Sequence, residues 1–263
     1  MSALRVRLGR PGRLGWLAVE VGATALIVAL LWLWADNNES YAVAPLSDVF
    51  SAFRETWLFA HVGSDVVPSL VRMGLGYGIA IAAGVLIGFA LGLSPVLAAI
   101  AAPVVSFLRA IPAAALLPPA IILFGIGGGT KVAVIAFVCL WPIVLNTSDG
   151  VRELDSTMLA TARVYGIRGL ERFRMVMLPA VAPRIFAGMR TSLAIAILLL
   201  VTSEMVASTD GIGYFVFQAQ QQFAVDDMWA GVLLLGLLGF VLNMAFGAVE
   251  RRVLRWHVRD DAD

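Results

Sequence analysis

The side chains that could perform chemistry in this sequence are few and scattered. Its two histidines, His61 and His257, stand in opposite terminal regions, and no Cys/His cluster has the spacing of a metal site. The single cysteine, Cys139, lies inside an apolar run, which favours a packed, inert thiol. The sequence therefore predicts no catalytic residue, no metal and no cofactor in this chain.

A glycine-rich segment, Gly125–Lys131, resembles a phosphate-binding loop only superficially. Its spacing does not fit GxxxxGK[ST], and no strand precedes it. The charge distribution described below also places it on the outer side of a membrane, where ATP is absent. We interpret it as a flexible turn between two spans, and we expect that the chain neither binds nor hydrolyses ATP.

Ionisable side chains inside apolar segments are candidate functional residues, because burying a charge in a bilayer is costly. Arg109 falls at the expected cytoplasmic start of a span, where its long side chain can reach the membrane surface. Glu204 falls near the outer end of another span. Its carboxylate is either solvated at the helix end or a gating or helix-pairing contact beside a pathway, and both readings stay open at this point.

The longest polar stretch, residues 149–184, is too long for a simple connector between two spans. Asp155 or Ser156 can cap a helix running to Tyr165, and Gly166 suits a left-handed helix end. One face of this helix collects small and apolar side chains, namely Leu154, Met158, Ala162 and Tyr165. A second short helix, Leu170–Met177, should end at Pro179 and group Leu170, Phe173 and Met177. The resulting protrusion either docks a soluble partner or lies on anionic lipid.

The elements that position these residues are membrane spans. Of the 263 residues, 60% are apolar and 14% are charged, whereas soluble domains average about 45–50% and 25%. A helix needs about 20 apolar residues to cross the bilayer. Six stretches are predicted to do so: Trp16–Ala35, Ser69–Leu93, Ile111–Gly128, Val132–Thr147, Ile185–Val206 and Met228–Val249. Lipid is the expected surrounding, and no nucleic-acid partner is expected.

The third of these spans has two possible placements within the apolar run 96–128. Residues 96–128 are almost continuously apolar and too long for one crossing, and Pro103 and Pro112 are expected to break the run. We place Pro95–Leu108 along the cytoplasmic interface and begin the span near Ile111. Two closely packed short spans are the alternative, and they would reverse the topology downstream.

Charge favours the first choice. With the amino terminus inside, fourteen arginines fall in cytoplasmic segments and three basic residues lie at or near the outer side, a strong positive-inside bias. Both termini are then cytoplasmic. The first apolar run is longer than the ~7–15 residues of a signal-peptide core, so we read it as a retained anchor helix rather than a cleavable signal.

Small residues recur every four positions in the second span, at Gly76, Ala80, Gly84, Gly88 and Gly92. Such a smooth ridge lets another helix approach closely, either within the subunit, which we favour, or between subunits.

The expected organisation is a tail, anchor helix and external segment (1–67), a core of five spans (68–256) and a short cytoplasmic tail (257–263).

The polar stretch also contains a family pattern. The stretch contains Ala160-Thr161-Ala162, three intervening residues, Gly166, nine intervening residues and Val176-Met177-Leu178-Pro179. This pattern resembles the EAA motif of permease subunits in binding-protein-dependent ABC importers. Six further stretches resemble the sulfonate, taurine and nitrate branch of these permeases: Phe107–Pro112, Phe124–Gly127, Leu145–Thr147, Ser203–Ala207, Gly211–Tyr214 and Gln218–Gln221. The resemblance covers most of the chain, from about residue 68 to residue 256.

The resemblance implies a type I importer permease in the bacterial inner membrane. A second permease subunit (expected to be identical), two cytoplasmic ATPases and an extracytoplasmic binding protein would complete it, and ATP would be bound by the ATPases. The implied ATPase-coupling residues are Ala160, Thr161, Ala162, Arg163, Gly166, Leu178 and Pro179. The cargo would be a small anion such as a sulfonate, taurine or nitrate. An ion-gradient-driven secondary transporter is the alternative, although its inverted repeats are not visible.

This sequence departs from the motif at two positions. The motif's glutamate is Ala160 here, and its first alanine is Thr161. An acidic contact to the ATPase is therefore missing unless Glu153 or Asp155 supplies it.

Overall fold

The structure, a computed structural model, describes residues 44–57 and 61–256, and all regular elements within these ranges are helical. The helices are α1 (Leu46–Glu55), α2 (Val67–Leu93, preceded by a π-helical turn, Val62–Val66), α3 (Pro95–Ala110), α4 (Leu117–Phe124, preceded by a 3-10 turn, Ala113–Leu116), α5 (Gly128–Arg152), α6 (Ser156–Val164), α7 (Gly169–Arg172, followed by a π-helical turn, Phe173–Met177), α8 (Leu178–Val206), α9 (Ile212–Gln221) and α10 (Val225–Val253). The predicted anchor helix, Trp16–Ala35, and the tail 257–263 lie outside the described residues.

Four helical segments in the described part are long and apolar enough to cross a bilayer. They are Val62–Leu93, Gly128–Arg152, Gly169–Val206 and Val225–Val253. Each contains one of the predicted spans and extends beyond it. The extensions carry polar residues such as Thr130 and Arg152, which an apolar-run criterion leaves out although they continue the helix.

The third predicted span, Ile111–Gly128, is not one continuous helix. α3 ends at Ala110, and the next residue, Ile111, has a ψ of 123°, the extended conformation favoured before proline. The next helical run is bent by 91° relative to α3. That run, Ala113–Phe124, is roughly 18 Å long at 1.5 Å per residue, too short for a bilayer on its own. Pro103, expected to break this region, lies within α3 instead. The described part therefore has four spans, or five if the bent pair counts as one.

The small-residue ridge of α2 packs against α5 of the same chain. A Cβ added at Gly88 would lie 2.5 Å from Thr147 Cβ, and one added at Gly92 would lie 2.5 Å from Val151 Cβ. These distances leave no room for a side chain, so the two backbones pack in direct contact. The prediction that the ridge serves packing inside the subunit is confirmed.

The main core lies where α2, α5 and α8 meet. Ile135, Ile143 and Ala196 are fully buried in it, and Cys139 is buried beside them, as predicted. Ser192 Oγ of α8 donates a 2.7 Å hydrogen bond to the Cys139 carbonyl oxygen of α5, which ties these two helices together at mid-length. One end of this three-helix unit carries residues 153–177, and the other end carries Glu204.

Candidate functional site

Residues 153–177, between α5 and α8, form a protrusion that we call the knob. Its first helix, α6, begins where the sequence predicts, because Asp155 Oδ1 accepts a 2.8 Å hydrogen bond from the Thr157 amide. The predicted helix over residues 156–165 is therefore confirmed to within one residue.

Gly166 ends α6 in the left-handed conformation, with φ of +75°. The Ile167 amide donates to the Ala162 carbonyl at 3.0 Å, and the Gly166 amide donates to the Arg163 carbonyl at 3.1 Å. These two bonds form a Schellman motif, which fixes the direction in which the chain leaves the helix. The predicted role of Gly166 as a helix terminator is confirmed.

The second half of the knob runs directly into α8. The prediction that Pro179 stops the second short helix is wrong, because Pro179 lies in the first turn of α8, where its missing N–H is not needed. Helix α7, the π-helical turn and α8 together form one continuous helical segment, Gly169–Val206. This half of the knob is therefore continuous with α8 along one helical axis.

An apolar cluster anchors the knob to the bundle. The rings of Phe173 in the knob and Phe89 in α2 pack edge-on, with their centroids 4.8 Å apart. Met177 is buried beside them, together with Val151 of α5 and Val181 of α8. The second half of the knob is thus packed against all three helices of this unit.

The outward surface of the knob differs in part from the prediction. Tyr165 and Leu170 are 79% and 69% exposed, so the apolar faces predicted for the two short helices are partly uncovered. The helix ends at Val164, and Tyr165 is its C-cap, so its side chain no longer follows the face of Leu154 and Met158. Ala162, predicted as a coupling contact, is buried and not available at the surface, whereas Ala160, Thr161, Arg163 and Gly166 are exposed. Leu178 and Pro179 are half-buried at the return.

Both acids that could replace the motif glutamate have partners within the chain. Asp155 caps α6. Glu153 Oε2 accepts hydrogen bonds from Nε and Nη2 of Arg184 at 3.0 and 2.6 Å, which links the start of the knob to the first turns of α8. Neither carboxylate takes the position that the motif gives to its glutamate.

A second group of polar residues, which we call the polar cluster, lies at the opposite end of the three-helix unit. Its centre is Glu204 of α8, which is fully buried, so of the two readings left open by the sequence the solvated carboxylate is excluded. Glu204 Oε1 accepts a 2.6 Å hydrogen bond from Ser69 Oγ of α2, and Oε2 accepts a 3.0 Å bond from the Gly213 amide of α9. The carboxylate is a helix-pairing contact.

Charged residues around Glu204 complete the cluster. Arg72 Nη1 lies 3.6 Å from Glu204 Oε1, and Arg72 Nη2 donates a 2.8 Å bond to Asp210 Oδ2 in the α8–α9 connection. The hydrogen bond from Arg72 holds the pKa of Asp210 below its ordinary value. Asp65 Oδ1 accepts from the Gly211 amide at 2.8 Å. The connection 207–211 is therefore held to α2 by two carboxylates.

Sequence reasoning missed most of this cluster. Lys131, interpreted as part of a turn, lies in α5 and is only 2% exposed. Asp65 is also buried, and its Oδ2 lies 2.8 Å from Nδ1 of His61. The one available signal was the spacing of Ser69 and Arg72, which are three residues apart and so share one face of α2.

The structure does not bring Arg109 into either site. It lies exposed in the last turn of α3. Within residues 44–57 and 61–256, no group of three His, Cys, Asp or Glu residues could hold a metal ion.

The sequence is similar to known membrane transport proteins. A sequence profile for the family described as "Binding-protein-dependent transport system inner membrane component" matches residues 80–255. The chain is 30% identical over 205 residues to the taurine transport system permease protein TauC of Escherichia coli (strain K12), covering 78% of this chain and 73% of that protein. It is 29% identical over 245 residues to the nitrate import permease protein NrtB of Leptolyngbya laminosa, covering 88% of this chain and 86% of that protein.

The fold is similar to a solved one. A chain of the MetNI methionine ABC transporter, crystallised in an inward-facing conformation, superposes with a TM-score of 0.62 at 19% sequence identity. The superposition covers 72% of this chain and 94% of that chain. At this identity the likeness establishes a shared fold.

Proposed function

The chain belongs to the family of binding-protein-dependent transport system inner membrane components, and from this premise we propose that it forms the pathway of an ATP-driven uptake system for a small anion. It is the permease subunit of an ABC transporter, a multi-pass inner-membrane protein whose family works with an ATPase and a solute-binding protein. This membership leaves no support for the ion-gradient-driven alternative.

The knob is the proposed contact for the ATPase. Ala160, Thr161, Arg163 and Gly166 are exposed and can touch a partner, whereas Ala162 is buried and would support the docking surface from behind. Leu178 and Pro179 would hold the return of the knob to α8. In this proposal the chain has no ATP site of its own, and ATP is bound by the partner.

The continuous helix from the knob through α8 is the observation that carries the proposal. Leu178 and Glu204 are separated by roughly 39 Å at 1.5 Å per residue, so one helix links the knob to the polar cluster. Approach of the ATPases would displace the knob, tilt α8 and strain the contacts of Glu204. The polar cluster would then act as a gate on the outer side. Arg109 is exposed on α3, away from the polar cluster, and is proposed as a pathway residue and not as part of the gate.

Orientation, stoichiometry and cargo are further parts of the proposal. The arginine bias supports a cytoplasmic position for the knob and both termini, with the polar cluster on the outer side. Two copies of this chain would form the pathway, two ATPases would dock on the two knobs, and a binding protein would deliver the solute. The taurine and nitrate relatives support a small anion, such as a sulfonate, taurine or nitrate, as cargo.

Cysteine labelling tests the orientation. The native Cys139 is buried, so single cysteines introduced as Arg163→Cys in the knob and Gln221→Cys at the end of α9 provide two exposed reporters. A membrane-impermeant maleimide added to intact spheroplasts should label the second variant and leave the first unlabelled until the cells are lysed. Labelling of Arg163→Cys in intact spheroplasts would place the knob where no cytoplasmic ATPase could reach it.

Vesicle uptake tests the energy source and cargo. The transporter, purified with its ATPase and binding protein, should accumulate radiolabelled taurine or nitrate in proteoliposomes only when ATP is present on the ATPase side. A protonophore should leave this uptake unchanged. Uptake that persists without ATP and disappears with the protonophore would contradict an ATP-driven mechanism.

A further inference from the structure

The knob carries an excess of exposed positive charge. Between Asp155 and Arg174, all of which the structure describes, there are four arginines and two acids. Arg163, Arg168 and Arg174 are exposed. The two acids are Asp155, whose Oδ1 accepts from the Thr157 amide, and Glu171, so arginines outnumber acids by two in this stretch.

The acids just outside this stretch do not offset the excess. Glu153 is paired with Arg184 through two hydrogen bonds to one carboxylate oxygen, so the two charges cancel locally. The surface that the knob presents outward is therefore basic.

The outward face of α6 combines this charge with apolar area. Ala162 and the partly buried Leu159 face the bundle, and at 100° per residue Ala160 and Val164 lie on the opposite side of the helix. Val164 is 86% exposed, and Tyr165, 79% exposed, caps the helix. The exposed Arg163 lies at the edge of this face, about 60° around the helix from Ala160. A partner that covers this face must bury apolar side chains and contact arginines. It meets no carboxylate at position 160, where the motif glutamate is replaced by alanine.

We infer that the ATPase groove receiving this knob has an apolar floor and an acidic rim. The inference rests on the proposed function and specifies the chemistry of the partner at its docking site. Complementary charge across an interface stabilises it and speeds association, whereas like charges placed opposite each other are costly. A groove with a basic rim would place its charges against Arg163 and Arg168.

Charge substitutions at Ala160 give the sharpest test. The assembled transporter is purified through a tag on this chain, and the amount of ATPase retained is measured for Ala160→Glu and for the uncharged, similarly sized Ala160→Gln. Both side chains replace an exposed residue on a helix, so the fold should be preserved. If the rim is acidic, Ala160→Glu should retain less ATPase than Ala160→Gln, by roughly two- to fivefold for one exposed charge.

The arginines provide a second, independent arm. The double variant Arg163→Glu/Arg168→Glu should lower retention by about tenfold, because two attractive contacts become repulsive. Raising NaCl from about 50 to 500 mM should weaken wild-type retention, since it shortens the Debye length severalfold. Gln221→Glu, an exposed substitution at the other end of the molecule, is the matched control and should behave as wild type.

The outcomes separate this inference from the proposed function. Equal or higher retention in Ala160→Glu than in Ala160→Gln would overturn the acidic rim and leave the ATPase contact standing. If the double variant keeps its ATPase but loses binding to phosphatidylglycerol vesicles, the arginines bind lipid and the inference also fails. If wild-type protein shows no ATP-dependent transport and no bound ATPase, the proposed function itself fails.

Discussion

Ser69 and Glu204 are 135 residues apart in the sequence, yet the Ser69 hydroxyl donates a 2.6 Å hydrogen bond to the buried Glu204 carboxylate. This bond joins the first turn of α2 to the last turn of α8. The same carboxylate accepts the Gly213 amide of α9 and faces Arg72. One side chain thus holds three helices together at the end opposite the knob.

Removing the Glu204 carboxylate should destabilise the protein strongly. Glu204→Ala leaves the Ser69 hydroxyl and the Gly213 amide without this acceptor and removes a negative charge 3.6 Å from Arg72 Nη1. Breaking a buried ion pair from one side costs about 3–5 kcal/mol. Glu204→Gln should cost less, because its amide oxygen can still accept from Gly213 and the Ser69 hydroxyl can rotate to accept from its amide nitrogen. Thermal unfolding of the purified transporter measures both. Glu55→Ala, which removes an exposed carboxylate of α1, is the control; equal midpoints for the two alanine variants would contradict the assignment.

Gly211→Ala should produce the same defect without touching the carboxylate. Gly211 has φ of +109°, and a Cβ there would lie 2.5 Å from Glu204 Cδ, so alanine strains the backbone and displaces the side chain. Gly127, whose φ of 170° suits any residue and whose Cβ would meet nothing within 4 Å, provides the matched control Gly127→Ala. We expect a lower unfolding midpoint and reduced uptake for Gly211→Ala alone. Normal behaviour of this variant would show that the cluster tolerates displacement of Glu204.

Gly88→Ala should disrupt the contact between α2 and α5. The added methyl group would lie 2.5 Å from Thr147 Cβ and 2.9 Å from the Val144 carbonyl oxygen, and overpacking of this kind costs about 1–3 kcal/mol. Gly78→Ala is the control on the same helix, because its Cβ would meet nothing within 4 Å. The resistance of each purified variant to unfolding in denaturing detergent measures the difference. Equal resistance would mean that the ridge can separate without cost.

Gly166→Val should uncouple ATP hydrolysis from transport. Valine is strained at φ of +75°, so the Schellman motif would open and the second half of the knob would leave α6 in another direction. Asparagine tolerates this conformation, so Gly166→Asn should retain coupling. The measurement is the number of ATP molecules hydrolysed per solute transported in proteoliposomes. An unchanged ratio in Gly166→Val would argue against a role for the knob in coupling.

Local chemistry explains which parts of this protein could be predicted. The start of α6 follows from Asp155 and its end from Gly166, because each depends on bonds to amides or carbonyls within a few residues. The ridge of α2 follows from a four-residue period, and the break near Ile111 follows from Pro112. In each case the deciding contact or steric restriction is close in sequence or repeats along one helix.

Only the tertiary structure decided the environment of Glu204. Whether a carboxylate near a helix end is solvated or buried depends on what packs against it, and here the partners come from residue 69 and residue 213. The burial of Lys131 and the exposure of Tyr165 also depend on how helices pack or end. The sequence by itself determined four of the membrane spans, the knob and the family, since hydrophobic runs and local motifs encode them. The tertiary structure determined which charges meet, because electrostatic partners are chosen by distance in space and not along the chain.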